Sequence, residues 1–314
     1  MSLIRKPTPR IPKLMTFFWA GDKLSWMRYM TVYSFRKLNP DWKIRIISST
    51  NIFKDKPWDC HNVQDFMWYK GENYFPLLDS LDVEIIKWEL DDPFKSNGSK
   101  KTDLSPPHKC DFLEWKTLTC DGGFFSDFDI LYVKPIDNLY NTLSELRIDT
   151  GLCYSTLPNM QFKFFSIGFM CSASGNQFYS DLYQWTFKSY DPKQYQSTGV
   201  FSMYSMLTNG LVKTNNPLFS SYLSSVDLLN TIHKKYPSLK VYNFDFNVVY
   251  PWNWLQLNDI FIKDNSDYIA EETIGIHWYG GAELSQSFNH VTNHTNYKNM
   301  KNTFCESVIK YVDP

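Results

Sequence analysis

Two acids a single residue apart, Asp127 and Asp129, are the side chains whose spacing first suggests chemistry. They lie in Gly122-Gly123-Phe124-Phe125-Ser126-Asp127-Phe128-Asp129-Ile130-Leu131-Tyr132-Val133-Lys134-Pro135, an apolar run with an acidic centre. Read as one buried strand, residues two apart share a side, so both carboxylates project together while Phe128 and Ile130 face the core. Neighbouring carboxylates repel, and burying them unpaired is costly. A hard divalent cation removes both problems, and Mg²⁺ or Mn²⁺ keeps positions open for phosphate oxygens. Such a cation stabilises the charge that gathers on a departing diphosphate. A bare Asp-x-Asp is common on solvated strand faces. The weight therefore falls on its setting, between a Gly-Gly pair and an apolar run ended by proline.

Other candidates carry a bland reading beside the functional one. Trp19 closes an apolar run just ahead of Gly21, at the top of a parallel sheet, where ligands collect; a core role explains it equally well. Asp111 suits a helix N-cap almost as well as a ligand contact. His277 can serve a cation through either ring nitrogen, although a lone histidine is more often structural. Trp252 and Trp254, after Pro251, offer a sugar platform, with core packing the commoner role. Tyr279 and Ser285 belong to a closing C-terminal loop, with Ser285 counted among the donor contacts.

The elements that must position these residues follow from periodicity. Leu14 to Trp19 reads as a first strand, and Ser25 caps a helix running to Leu38. Asn39-Pro40 stops that helix, because the residue before proline leaves the α region. Lys43 to Ile47 is a second strand, which completes a βαβ unit and predicts a parallel sheet. Val83 to Lys87 is a third strand, and residues 91–109 read as a mobile surface loop. Cys110 to Thr119 is helical, with Leu113 and Leu118 inward, and Asp121-Gly122-Gly123 ends it. Phe124 to Val133 reads as a single strand. Further strands are expected at Gly151–Tyr154, Phe165–Cys171, Val241–Phe244 and Asn247–Tyr250, and helices at Asn176–Phe187 and Phe201–Leu207.

With these residues in place, the stretch Asp111-x-x-x-Trp115-x-x-Leu118-x-x-x-Gly122-Gly123-x-x-x-Asp127-x-Asp129-(x)5-Pro135 resembles the DXD sugar-binding region of glycosyltransferase family 32. The glucosylating domains of large clostridial toxins share it. Ile11-Pro12-Lys13 with Phe17-Phe18-Trp19-Ala20-Gly21 is similar to that family's opening strand, and His277-Trp278 to its C-terminal pair. The resemblance implies an α/β fold of GT-A type, a mostly parallel Rossmann-like sheet flanked by helices. It also implies a nucleoside-diphosphate sugar donor, a divalent metal and retention of anomeric configuration. By the same resemblance Trp19 stacks on the donor base and Asp111 holds the donor sugar. Asp127 touches ribose or metal, Asp129 ligates the metal directly, His277 is a further ligand, and Trp278 covers the leaving diphosphate. The chain departs from the pattern at Glu114, where the family usually has arginine. A carboxylate cannot replace that planar fork, and Lys109 and Lys116 are the nearby candidates to do so.

Composition bounds the rest. The 314 residues carry 32 Lys+Arg against 33 Asp+Glu, a net charge of -1, without the basic surplus of a nucleic-acid binder. The basic RKPTPR segment is short and interrupted by prolines. Six cysteines (Cys60, Cys110, Cys120, Cys153, Cys171 and Cys305) form no CxxC pair and read as free thiols of a reducing compartment. No apolar run reaches the roughly 18 residues of a membrane span, and no export signal opens the chain, so a cytoplasmic protein is expected. The sequons at Asn97 and Asn293 then read as chance matches. One domain, 1–314, is expected, with a nucleotide-sugar and metal half at 11–137 and an acceptor half at 138–314. Three functions compete on these grounds: glycosyl transfer from a UDP- or GDP-sugar to a glycan hydroxyl, metal-dependent phosphoester hydrolysis, and a non-catalytic nucleotide-sugar-binding module.

Overall fold

The computed structural model of the protein describes residues 10–21, 23–49, 69–87, 104–156, 163–210 and 227–313. RKPTPR up to its last arginine, Cys60, the Asn97 sequon and the 91–103 part of the expected loop lie outside these residues.

The first strand, β1 (Leu14–Ala20), is buried along its whole length. An apolar run closed on both faces is what a central parallel strand requires. Helix α1 (Trp26–Leu38) starts where Ser25 accepts a hydrogen bond from the Arg28 backbone N–H, and ends at Asn39. Strand β2 (Lys43–Ser49) pairs parallel to β1, and β3 (Glu84–Lys87) parallel to β2. Helix α2 (Pro106–Cys120) then carries the chain back, and β4 (Gly123–Ser126) pairs parallel to β1 on its other side. The helix begins at Pro106 behind a Ser105 cap, so the last residues of the expected loop are helical. Asp111 therefore lies inside the helix and caps nothing.

Beyond β4 the sheet turns partly antiparallel. Strands β6 (Thr150–Thr156) and β7 (Lys163–Ser172) pair antiparallel, β7 lies antiparallel against β4, and β8 (Val241–Asn243) runs parallel to β6. The seven strands stand in the order β3-β2-β1-β4-β7-β6-β8, a mixed, mostly parallel sheet flanked by helices, as expected of an α/β chain. After α3 (Asp137–Glu145), helices α4 (Gln177–Ser189) and α5 (Val200–Leu207) form where the periodicity placed them. Asn247–Tyr250 does not form a strand; a short 3-10 turn at Phe246–Val248 takes its place.

The larger correction concerns the acidic run. Phe124 to Val133 is not one strand but two: β4 ends at Ser126, and β5 (Ile130–Tyr132) pairs antiparallel with β9 (Gly275–His277) in a separate two-stranded sheet. Residues 127–129 are the turn between them. Phe128 anchors that turn. It is 4% exposed, packs its ring 5.5 Å from both Phe17 and Trp19, and its carbonyl accepts from the Thr31 hydroxyl at 3.2 Å. Aromatic pairs of this kind contribute about 0.5–1.5 kcal/mol each beyond their area. Of the flanking acids, Asp127 stays part-exposed while Asp129 is buried.

Strand order locates the opening. The chain steps outward through β1, β2 and β3, then returns to β4 on the far side of β1. In open α/β sheets, the carboxyl ends of adjacent strands at such a reversal of strand order are where ligands bind. Asp127 and Asp129 follow β4 at that point.

Candidate active site

Three groups converge just beyond the carboxyl end of β4. The His277 Nε2 lies 3.3 Å from Asp127 Oδ2 and 3.2 Å from Asp129 Oδ1. One ligand atom from each of the three residues falls within 4.8 Å of the others. The strand geometry expected to bring the two acids together is absent, yet they meet, because a turn and an incoming histidine replace it. His277 arrives through the β5–β9 pairing, which sets Ile130 opposite His277, and through the Trp278 N–H, which donates to the Asp129 carbonyl at 2.9 Å.

Two oxygens and one imidazole nitrogen suit a divalent ion of borderline to hard character. Burial works against any charge on His277, but the Asp129 carboxylate, with Asp127 behind it, outweighs burial and holds its pKa up at about 9. Burial likewise opposes ionisation of Asp129. His277, Arg28 and the Gly280 N–H overcome it and hold Asp129 well below the ordinary carboxylate range. The two carboxylates and the imidazole, their ligand atoms grouped this closely, form a donor set that fits a divalent metal.

Each acid has its own support. The Gly280 N–H donates to Asp129 Oδ2 at 2.6 Å. Gly280 itself is required by its neighbours: a Cβ there would meet Arg28 Nη2 at 2.6 Å and the Trp278 ring at 2.9 Å. The Asp127 N–H donates to the Gly168 carbonyl at 2.7 Å, and a Cβ on Gly168 would stand 2.4 Å from Asp127 Oδ2. Asp127 keeps 38% of its side chain exposed against 12% for Asp129. The first is the open member of the pair and the second the enclosed one.

Arg28 completes this wall. It is buried on α1 between the Trp19 and Trp278 rings, 5.0 and 5.2 Å from their centroids. A guanidinium between two aromatic faces is held by cation–π attraction, worth about 2 kcal/mol or more when desolvated. Trp19 is accordingly 4% exposed with its indole N–H unpaired, and stacking a base on it requires its cover to move. Trp278 is fully buried, also with an unpaired indole N–H. Ser285 is buried too, its hydroxyl donating to the Trp278 carbonyl at 2.7 Å, so it reaches the site through Trp278. Tyr279 takes a left-handed φ of 50°, rare for a bulky residue, and sets its ring 4.2 Å from His277. Trp254 meets the Tyr279 ring edge-on at 6.3 Å, and Trp252 offers Tyr279 its carbonyl.

On the opposite side α2 contributes Asp111 and Glu114. Thr198 donates to Asp111 Oδ2 at 2.7 Å. Burial lifts the Asp111 pKa to about 8, Thr198 opposing the rise and Asp127 adding to it. Glu114 is 2% exposed, and burial, then Asp127 and Asp111, push it well above the usual range. Of the two nearby lysines, Lys109 reaches the Ser49 hydroxyl at 3.4 Å, and Lys116 is exposed.

Sequence reasoning missed Arg28, Gly168, Gly280 as a backbone donor, and Tyr250, whose buried hydroxyl is unpaired near Asp127. Only the Gly280-Gly281 pair left a local signal. A recess of about 680 Å³ lined by Pro12, Lys43, Arg45 and Asp121 sits at the amino ends of β1 and β2, away from this chemistry.

No family model matches the sequence, and no curated protein matches it. Among solved structures, the chain is similar to the PaToxG glycosyltransferase, at 14% identity over 71% of this chain and 78% of that one, with a TM-score of 0.41. It is similar to an active-site mutant of LgtC at 12% identity, 91% and 99% coverage and a TM-score of 0.39. The ligand-free glycosyltransferase domain from the YGT toxin aligns at 10% identity, 75% and 80% coverage and 0.39. Likenesses this loose leave the reaction to be argued from the chain's own residues. No helix among the described residues is long and apolar enough to cross a membrane.

Proposed function

We propose that the chain is a metal-dependent glycosyltransferase of GT-A type. It moves a sugar from a UDP- or GDP-linked donor, UDP favoured, to a hydroxyl of a glycan acceptor with retention of configuration. The observation that carries this reading is the convergence of Asp127, Asp129 and His277 beyond the carboxyl end of β4, where the strand order reverses. Switch-point crevices in open α/β sheets take nucleotides and related ligands. The resemblance around residues 109–137 supplies the reaction class.

Asp129 and His277, with Asp127, would hold a Mn²⁺ or Mg²⁺ ion. Such an ion supplies positive charge against the departing nucleoside diphosphate. Gly280 and Arg28 keep the Asp129 carboxylate ionised and aimed, while the more open Asp127 meets ribose or the ion. Asp111 holds the donor sugar, Trp19 lines the base side behind Arg28, and Trp278, backed by Ser285, covers the diphosphate once its buried ring moves out from beside Arg28. In the reaction the bond from the anomeric carbon to the diphosphate oxygen breaks, its electron pair leaving with the diphosphate. The acceptor oxygen forms the new glycosidic bond and its proton is released. Residues 1–314 act as one domain, the 11–137 half carrying donor and metal and the 138–314 half carrying the acceptor and His277.

The test is thermal stabilisation by UDP- and GDP-sugars with and without Mn²⁺, in the wild type and in Asp129→Ala. A ligand at 100 times its Kd stabilises by about 2.7 kcal/mol, a readily measured rise in Tm. Stabilisation that needs Mn²⁺ and vanishes in the variant supports the reading. Donor turnover that survives in Asp129→Ala removes it.

A further inference from the structure

Tyr250 is packed against the candidate metal ligands, yet its hydroxyl is bonded to none of them. The ring stacks on Phe246 at 5.1 Å and lies tilted against His277 at 5.3 Å. Its backbone N–H donates to the Phe246 carbonyl at 2.9 Å, and the adjoining Val249 carbonyl accepts from the His277 N–H at 2.8 Å. Segment and histidine are thus fixed to one another. Tyr250 is 3% exposed, and its oxygen is sealed from solvent without a hydrogen-bond partner among the described residues. A phenol hydroxyl carries a donor, and a buried donor left unmet costs stability. Such a group in a native fold calls for an explanation.

Gly168 points to one. A Cβ there would stand 2.4 Å from Asp127 Oδ2 and 3.2 Å from the Tyr250 oxygen, so the two oxygens border the same empty point. A modest turn of the Asp127 carboxylate brings them together. Asp127 Oδ2 now faces His277 Nε2 at 3.3 Å, a contact that both groups give up when they turn to a metal. Carboxylates that ligate a metal are in turn hydrogen-bonded by a neighbouring group that orients them. Asp129 has such a group in the Gly280 N–H; Asp127 does not. We infer that Tyr250 is a positioning residue of the metal site, its hydroxyl donating to Asp127 when a divalent cation is bound. Gly168 is bare so that the two oxygens can meet. This rests on the metal-site reading and goes further, because it gives the open acid an orienting partner of its own.

Tyr250→Phe removes one oxygen and keeps the ring, and Mn²⁺ titration together with metal-free thermal unfolding tests the inference. The Mn²⁺ dissociation constant should rise about tenfold or more, the usual effect of losing a group that orients a ligand. The rise should appear with Mn²⁺ alone and again with UDP present. The metal-free Tm should stay level or increase, since no satisfied hydrogen bond is lost. Weaker metal binding in an undiminished fold is a combination that a packing residue does not give. Equal Mn²⁺ affinity in the two proteins overturns the inference. A loss confined to the UDP-bound protein also overturns it, by assigning the hydroxyl to the nucleotide. So does a metal-free Tm lower by about 2 °C or more, the mark of a hydroxyl already bonded in the free protein. All three leave the metal-site reading intact. A wild type that takes up Mn²⁺ neither alone nor with UDP or GDP removes that reading and the inference with it.

Discussion

Gly280 aims Asp129: its backbone N–H donates to the Oδ2 at 2.6 Å although 151 residues separate the two. The same glycine has no room for a side chain, since Arg28 and the Trp278 ring crowd its α-carbon. One position thus serves the acid through its N–H and the arginine through its bareness.

Gly280→Ala is expected to displace Arg28 or the backbone donor and weaken Mn²⁺ affinity about 10- to 100-fold, the usual cost of disturbing a group that orients a ligand. Titration calorimetry with Mn²⁺ reads this directly. An unchanged affinity would mean that Asp129 is not oriented from Gly280.

Gly168→Ala tests the other acid. The added methyl collides with Asp127 Oδ2 and is tight against the Tyr250 hydroxyl at 3.2 Å, so Asp127 must rotate. Donor turnover should fall by about 10² or more, as a misplacement near 1 Å does elsewhere. Tm should fall only modestly, and equal turnover in the two proteins would count against any role for Asp127.

Arg28→Met keeps much of the volume between the Trp19 and Trp278 rings but removes the charge. The two cation–π contacts and the hydrogen bond to the Phe128 carbonyl are lost. A destabilisation of about 2–4 kcal/mol is expected, together with weaker metal binding because Asp129 loses a cation that favours its ionised form. Urea unfolding and Mn²⁺ titration on the same preparation measure both. If only stability changes, Arg28 is a packing residue.

His108 gives a pH dependence remote from the metal. Burial lowers its pKa from 6.5 to about 4, against smaller contributions from Gln194, Tyr195 and Asp191 that raise it. The unfolded chain therefore takes up this proton below pH 6.5 while the folded chain refuses it until about pH 4. Stability should be full above pH 6.5 and fall as the pH drops toward 4, by roughly 3 kcal/mol from this group. Urea midpoints at pH 7.5 and 4.5 should differ less in His108→Gln than in the wild type. An equal difference would show that the imidazole is not held neutral.

What the sequence determined by itself is local. The βαβ opening, the α2 helix ended at Gly122, which takes a φ of 69°, and the acid pair after an apolar strand all arise from contacts a few residues apart, so periodicity and turn chemistry expose them. Asp127 and Asp129 were legible for that reason, although the strand assumed to align them is a turn. Tertiary structure decided the rest. Strands β5 and β9 have three residues each, too short for any period to register, yet their pairing delivers His277 to the acids. Arg28 looks like an ordinary helix residue until Trp19 and Trp278 close on it. Glu114 in sequence is only a departure from the resembled pattern, and its burial appears when α2 packs against the sheet. The reason in each case is one: burial and close approach are properties of the assembled fold, and no single segment contains them.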